Sequence, residues 1–102
     1  MQIIAKLVDM IRDELDGAEE YAVYALKVKH DYPKLAQRFH DLSGVEMQHS
    51  NILHDEVVRL IESYRQEHGE PPANMLSIYN YEHEKAIKKA AQVKAMIESF
   101  DE

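Results

Sequence analysis

The stretch "GVEMQHSNILH", Gly44–His54, lies in the middle of the longest helical repeat in the chain and carries two polar residues on its apolar stripe. Around it, apolar residues recur in alternating steps of three and four, which is typical of a helix that packs in a bundle. Glu46 and His49 stand where this repeat favours Leu or Val. The spacing therefore predicts a bundle helix whose buried side carries a carboxylate and an imidazole.

Glycine and proline, three residues of each, divide the chain into helical segments. We predict helices over about 2–30, 33–67 and 73–99. Pro33 suits a first helical position, and Gly69 and Pro72 mark a second turn. No run of β-branched residues alternates with period two, so strands are not expected. At 102 residues the chain is predicted to be one all-α domain, 1–102, with a long antiparallel helical hairpin plus a third helix.

The composition limits the classes of function. Cysteine is absent, which excludes disulfides, thiolate metal sites and thiol catalysis. The net charge of −7 repels nucleic acids and anionic membranes and attracts cations. The N-terminal segment is amphipathic and interrupted by charges, unlike a signal peptide or a membrane helix. We therefore expect a soluble, cytoplasmic protein that binds neither nucleic acid nor membrane.

The predicted inward stripes of the first two helices contain acids but no Lys or Arg. The first has one acid, Glu14, at an otherwise apolar or small position. The second consists of Leu35, Phe39, Leu42, Glu46, His49, Leu53, Val57, Leu60 and Tyr64. Because an unpaired buried carboxylate is costly, it is normally ion-paired, protonated or bound to a metal. Only His49 or an external cation is available to these glutamates.

The three polar residues are predicted to lie at one level of the hairpin. If the first two helices fold back about residue 32, Glu14 lies 18 residues before the turn, and Glu46 and His49 lie 14 and 17 after it. At about 1.5 Å per residue, the three lie roughly 27, 21 and 25 Å from the turn. One Glu facing a Glu-x-x-His is half of the ligand set of a di-iron bundle, and a twofold dimer would supply the other half. That set suits Fe or Mn.

A resemblance to a known family starts from the same residues. "DELDGAEEYAVYA", Asp13–Ala25, precedes "EMQH", Glu46–His49, as in the first helical hairpin of the ferritin-like superfamily, which includes the rubrerythrins. The chain resembles more closely the short encapsulated-ferritin-like proteins, which have one hairpin per chain. The resemblance covers about residues 10–60. It implies a ferritin-like four-helix bundle completed by dimerisation, with a di-iron ferroxidase site shared between two subunits.

The resemblance also implies roles for individual residues. Glu14, Glu46 and His49 would bind two irons per subunit pair, and Tyr21 would lie nearby with a catalytic role. Asp13 and Asp16 stand where the family has further acids of a secondary metal site, and Glu20 extends this acidic line. The C-terminal "MIESFDE" does not resemble the extension with which the encapsulated proteins enter their shell, which argues against encapsulation.

Residues outside the hairpin are assigned weaker roles. Folding the third helix back about residue 71 places residues 93–96 level with the site, so Glu82 and His83 reach a metal only if this helix crosses steeply or exchanges between subunits. His54 is predicted to lie on the surface. Gly44, one turn before His49, is predicted to leave room for a facing helix.

Three functions are consistent with these patterns. The leading hypothesis is a homodimer or higher homo-oligomer that oxidises Fe(II) with oxygen or peroxide, for storage or detoxification. The second is a non-catalytic oligomer stabilised by Mn, Zn or Ca. The third is a metal-free helical adaptor that binds a partner helix.

Overall fold

The computed structural model describes residues 2–102, which form three α-helices joined by two short turns. Helix α1 spans Gln2–Val28, α2 spans Pro33–His68 and α3 spans Ala73–Phe100. Because the described residues contain no strand, the all-α prediction is confirmed. Helix α1 ends two residues before its predicted boundary, and α2 and α3 each continue one residue beyond theirs. No helix within residues 2–102 combines the length and apolar character needed to cross a bilayer.

Local backbone chemistry explains both turns. Tyr32 has φ −136° and ψ 68°, a non-helical conformation that the following proline favours, and Pro33 then begins α2. The Tyr32 N–H donates to the Val28 carbonyl at 2.8 Å, which closes the end of α1. Gly69 has φ 80°, in the left-handed region that only glycine adopts freely, and its N–H donates to Arg65. Both turns are therefore encoded locally.

The helices form an elongated bundle of 56 × 19 × 18 Å in which α1 packs against both other helices. Helix α2 is antiparallel to α1, whereas α3 is parallel to α1. The parallel register is visible in two contacts, since Arg12 pairs with Glu82 and the Lys29 ammonium donates to the Phe100 carbonyl at the far end. Helices α2 and α3 touch only slightly. Helix α1 is therefore the central element of the bundle.

The core consists of three apolar clusters arranged along α1. One end is built around Ile4, Ile11, Leu15, Val57 and Ile61. In the middle, Ala18 and Ala22 lie against Val93 of α3. Ala25, Ala36 and Phe100 close the other end. Because alanines line the middle of α1, α3 approaches its backbone closely and Val93 is fully buried.

The prediction for the buried stripe of α2 is partly wrong. Val57 is buried as predicted, but Leu35, Leu42 and His49 are 41–49% exposed. The buried positions lie one residue later, at Ala36, Ser43 and Ser50. Both stripes repeat every seven residues, so periodicity alone does not choose between them. The small residues face inward because α1 and α2 lie close together, and the Ser43 hydroxyl donates to the Ala18 carbonyl at 2.7 Å.

Candidate metal centre

Glu14 of α1 converges with Glu46 and His49 of α2. One ligand atom from each of the three side chains lies within 4.8 Å of the other two. His49 Nδ1 lies 3.4 Å from Glu14 Oε2 and 3.9 Å from Glu46 Oε1. The structure thus brings together the three residues that the sequence placed at one level, while their role as metal ligands stays a prediction.

The two glutamates oppose each other electrostatically. A hydrogen bond with the Glu14 carboxyl, partial burial and the Glu14 charge together raise the pKa of Glu46 above its usual value, against the opposing effect of His49. Among the described residues, no Lys or Arg forms an ion pair with either glutamate. A cation bound between the carboxylates would remove this repulsion.

The cluster is half-open to solvent. The side chains of Glu14 and Glu46 are 29% and 25% exposed, and that of His49 is 49% exposed. Within this cluster, Glu14 Oε2 is shielded from solvent and has no hydrogen-bond donor. Buried carboxylate oxygens without a donor are rare because their desolvation is uncompensated. A hard or borderline cation is the kind of ligand that such an oxygen accepts, so this donor set fits Fe or Mn.

Glycine 17 shapes the cluster from the α1 side. A Cβ added at Gly17 would lie 3.5 Å from Glu46 Oε2, an ordinary contact distance, so the Glu46 carboxylate lies directly against α1 at this glycine. Gly44 was the glycine predicted to leave room for a facing helix. A Cβ added at Gly44 would have no heavy atom within 4 Å, so none of the described residues supplies the predicted facing helix. A glycine inside a periodic helix, one turn after Glu14, is the signal that could have identified Gly17.

The predicted secondary acids do not join the cluster. Asp13 and Glu20 are exposed on α1. Asp16 lies 3.5 Å from the Lys89 ammonium, which also donates a hydrogen bond to the Glu19 carboxylate at 3.0 Å. Asp16 and Glu19 therefore share one cation from α3, and the cation-guiding role of the acidic line stays a prediction.

Glu82 and His83 also lie outside the cluster. Glu82 accepts a hydrogen bond from Arg12 at 3.1 Å, and His83 stacks on His54 with ring centroids 4.9 Å apart. The His54 side chain takes part in this stack and is still 38% exposed, so His54 lies at the surface and also packs against α3.

Tyr21 lies seven residues after Glu14 on α1. Its half-buried ring stacks on Phe39 of α2, with centroids 6.0 Å apart and an interplanar angle of 24°. This contact joins the two helices of the hairpin near the cluster. A catalytic role for Tyr21 stays a prediction.

Apolar side chains surround the cluster on the exposed side of the hairpin. On α1, Met10 and Tyr24 share the helical repeat of Glu14 and are 40% and 44% exposed. On α2, the repeat of His49 continues through Leu42, Val45 and Ile52, which are 41–61% exposed. We call these five residues the site face. An exposed apolar patch around a polar site is a feature of surfaces that bind partners.

Comparison of the chain with protein-family models, with curated proteins and with solved structures found no match. The function is therefore inferred from the residues and geometry of the candidate centre.

Proposed function

We propose that the protein is a ferritin-like iron oxidase whose di-iron site is shared between two copies of the chain. The observation that carries this proposal is the convergence of Glu14, Glu46 and His49 within 4.8 Å, without a basic residue paired to either acid. Fe(II) is the substrate, and its oxidation by oxygen or peroxide serves storage or detoxification.

The ligand count supports a shared site. One chain contributes two carboxylates and one imidazole. Carboxylate-bridged di-iron bundles use four carboxylates and two imidazoles, which is twice this set. A twofold axis beside His49 would bring two such sets together. Mn, Zn and Ca are the substitutes that the same oxygen and nitrogen donors accept.

The site face supports the second copy as the partner. Its apolar residues lie on both sides of the cluster, so a self-complementary contact would bury them and enclose the glutamates at once. The half-exposed His49 ring stands in this face between Val45 and Ile52. A contact there would remove water from the cluster and strengthen the attraction between its carboxylates and a cation.

The chain's own residues then have distinct tasks. Glu14 and Glu46 would hold the metal ions, and Glu46 would give up any proton that it shares with Glu14 when a cation binds. His49 binds as a neutral imidazole. The net charge of −7 raises the local concentration of Fe(II). A bound pair of ferrous ions would supply two electrons and become two ferric ions, and with two protons these electrons reduce oxygen to hydrogen peroxide, or hydrogen peroxide to two waters.

The direct test measures Fe(II) oxidation in air by purified protein. Wild-type protein should oxidise Fe(II) faster than buffer, and Glu46→Gln, which keeps the side-chain volume but removes the charge, should fall to the buffer rate. Glu67→Gln is the matched control, because the Glu67 side chain is 71% exposed and lies near the end of α2. Equal rates for wild type and buffer would contradict the oxidase. Bound metal without oxygen consumption would instead indicate the non-catalytic, metal-stabilised oligomer.

A further inference from the structure

Helix α3 is held unevenly along its length. Its two buried residues, Val93 and Phe100, both lie towards its C-terminal end. Over residues 73–88 none of the described side chains is fully buried, and Tyr79 and Ala86 are partly buried against the core. We call residues 73–88 the N-terminal half of α3. Because little apolar surface is buried there, this half is the part of the helix that separates most easily from the bundle.

Two side-chain contacts join the N-terminal half of α3 to the other helices. On the α1 side, Arg12 donates a hydrogen bond to Glu82 at 3.1 Å. On the α2 side, the rings of His83 and His54 stack with centroids 4.9 Å apart and an interplanar angle of 16°. Because α2 and α3 touch only slightly, the histidine stack is one of few interactions between them.

The surroundings of His83 favour its neutral form. Burial and the neighbouring His54 lower the pKa of His83, against the opposing effect of Glu84. The ring of Tyr79 also stacks on His83, with centroids 5.6 Å apart, and burial raises the pKa of this phenol. At neutral pH the rings of Tyr79 and His83 are therefore both uncharged. A proton added to His83 would be partly desolvated, and it would face a like charge whenever His54 is protonated as well.

The other charged groups around the stack belong to types that normally titrate outside the range from about pH 5.5 to about pH 7.5. On α2, Asp55 Oδ1 lies 4.0 Å from His54 Nδ1. The Glu82 carboxylate is shared by Arg12 and Lys85. The remaining charged groups near His83 are Asp16 of α1 and Glu84, Lys85 and Lys89 of α3. The two histidines are thus the groups at this contact whose charge changes in that range.

We propose that the His54–His83 stack is an acid-sensitive switch, which releases the N-terminal half of α3 from α1 and α2 below about pH 6.5 while Val93 and Phe100 keep the C-terminal end attached. In the open state His83 lies in water and regains its ordinary pKa of 6.5, so acid protonates the open state before the closed one. The closed state is fully favoured above this value and loses stability as the pH falls below it.

Opening of the N-terminal half exposes part of the core. Ile11 and Leu15 of α1 line the groove beneath this half, and both are buried in the closed state. Neither histidine of the stack belongs to the Glu14–Glu46–His49 cluster. The switch therefore does not depend on the proposed iron chemistry.

Hydrogen exchange followed by mass spectrometry tests the switch, because a helical amide exchanges when its segment opens. After correction for the pH dependence of intrinsic exchange, the protection of residues 73–88 should fall about fivefold from about pH 7.5 to about pH 5.5. A histidine that is protonated only in the open state contributes at most about tenfold over this range. Protection of residues 93–100 should change less than about twofold. An equal fall in both segments, or no fall in either, would overturn the proposal.

Variants assign the response to the stack. His83→Phe keeps a ring in the stack but cannot take up a proton, so the fall in protection should shrink to less than about twofold. His54→Phe, which removes the second titrating ring, should also reduce the response. His30→Phe is the matched control, because His30 is exposed in the α1–α2 turn, and it should respond like the wild type. A full response in a folded His83→Phe variant would refute the switch. Glu46→Gln should respond like the wild type, which separates the switch from the iron site.

A titration of the histidine rings by NMR supplies a measurement on the unmodified protein. The pKa of His83 should lie below its ordinary value of 6.5, because the closed state disfavours the proton. A measured pKa at or above that value would overturn the switch, whatever the folding of the variants.

Discussion

The two sides of the α1–α2 hairpin differ in the burial of their apolar side chains and in the pairing of their charged side chains. On the side covered by α3, Ala18 and Val93 are fully buried, and Lys89 pairs with Glu19 at 3.0 Å. On the site face, apolar side chains are exposed, and Glu14 and Glu46 repel each other without a basic partner. The buried core and the candidate centre thus lie on different sides of the same two helices. On the side covered by α3, apolar groups are buried and charged groups are paired within the chain. On the site face, apolar groups are exposed and the two glutamates have no basic partner.

The largest expected effect comes from placing the same charge on each side. Val93→Asp puts a carboxylate where the side chain is fully buried, and it should lower the free energy of unfolding by at least about 3 kcal/mol. Val45→Asp, at a position that is 41% exposed, should change it by less than about 1 kcal/mol in the monomer. Urea denaturation of the two variants checks the difference. Similar losses would show that the two sides do not differ as described.

The second prediction concerns assembly. Val45→Asp adds like charges to a contact between two site faces, and it should raise the dimer dissociation constant by about a hundredfold. Native mass measurement with Fe(II) should find wild-type dimers that carry two irons and variant monomers. Ile87→Asp is the control, because Ile87 is 54% exposed on α3 and lies outside the site face. If the wild-type protein stays monomeric in the presence of Fe(II), the proposal of a metal site shared between two chains is contradicted.

The third prediction concerns the loss of stability that the repulsion between Glu14 and Glu46 causes in the metal-free protein. Because the folded-state pKa of Glu46 is raised above its usual value of 4.5, its charged form destabilises the metal-free protein. Glu46→Gln should therefore raise the metal-free melting temperature at pH 7 by about 2–4 °C. The difference should vanish at about pH 4, where Glu46 is protonated in both states. The same variant should lose the rise in melting temperature that Fe(II) or Mn(II) gives the wild type. A variant that melts below the wild type at pH 7 without metal would contradict the repulsion.

The smallest effect is expected at Gly17. Gly17→Ala should stabilise the metal-free protein by about 0.5–1 kcal/mol, since alanine is the better helix former and its Cβ meets only ordinary contacts. The added methyl lies at an ordinary contact distance, 3.5 Å, from Glu46 Oε2, so metal affinity should fall less than about twofold. Gly44→Ala, whose Cβ would meet no atom within 4 Å, should gain stability without losing affinity. Metal titration followed by thermal denaturation compares the two.

The convergence of Glu14, Glu46 and His49 was predictable because it depends on distances along the chain. A turn at Tyr32 and Pro33 and a constant rise per residue place the three at one level, whatever the details of packing. The buried stripe of α2 was not predictable in the same way. Leu42 and Ser43 belong to stripes that repeat with the same period. Hydrophobicity favours burial of Leu42, yet Leu42 is exposed and Ser43 is buried. The choice follows from the close approach of α1, where the Ser43 hydroxyl meets the Ala18 carbonyl.

Helical periodicity and the chemistry of proline and glycine act locally, so the three helices, their turns and the residues of the candidate centre could be predicted from the sequence. The packing of α3 mainly on α1, the pairing of Arg12 with Glu82 and the stacking of His54 on His83 became known only from the tertiary structure. These contacts join residues far apart in the chain. They depend on where small side chains allow two helices to approach each other closely. A local sequence pattern does not predict that approach, because it involves two distant segments.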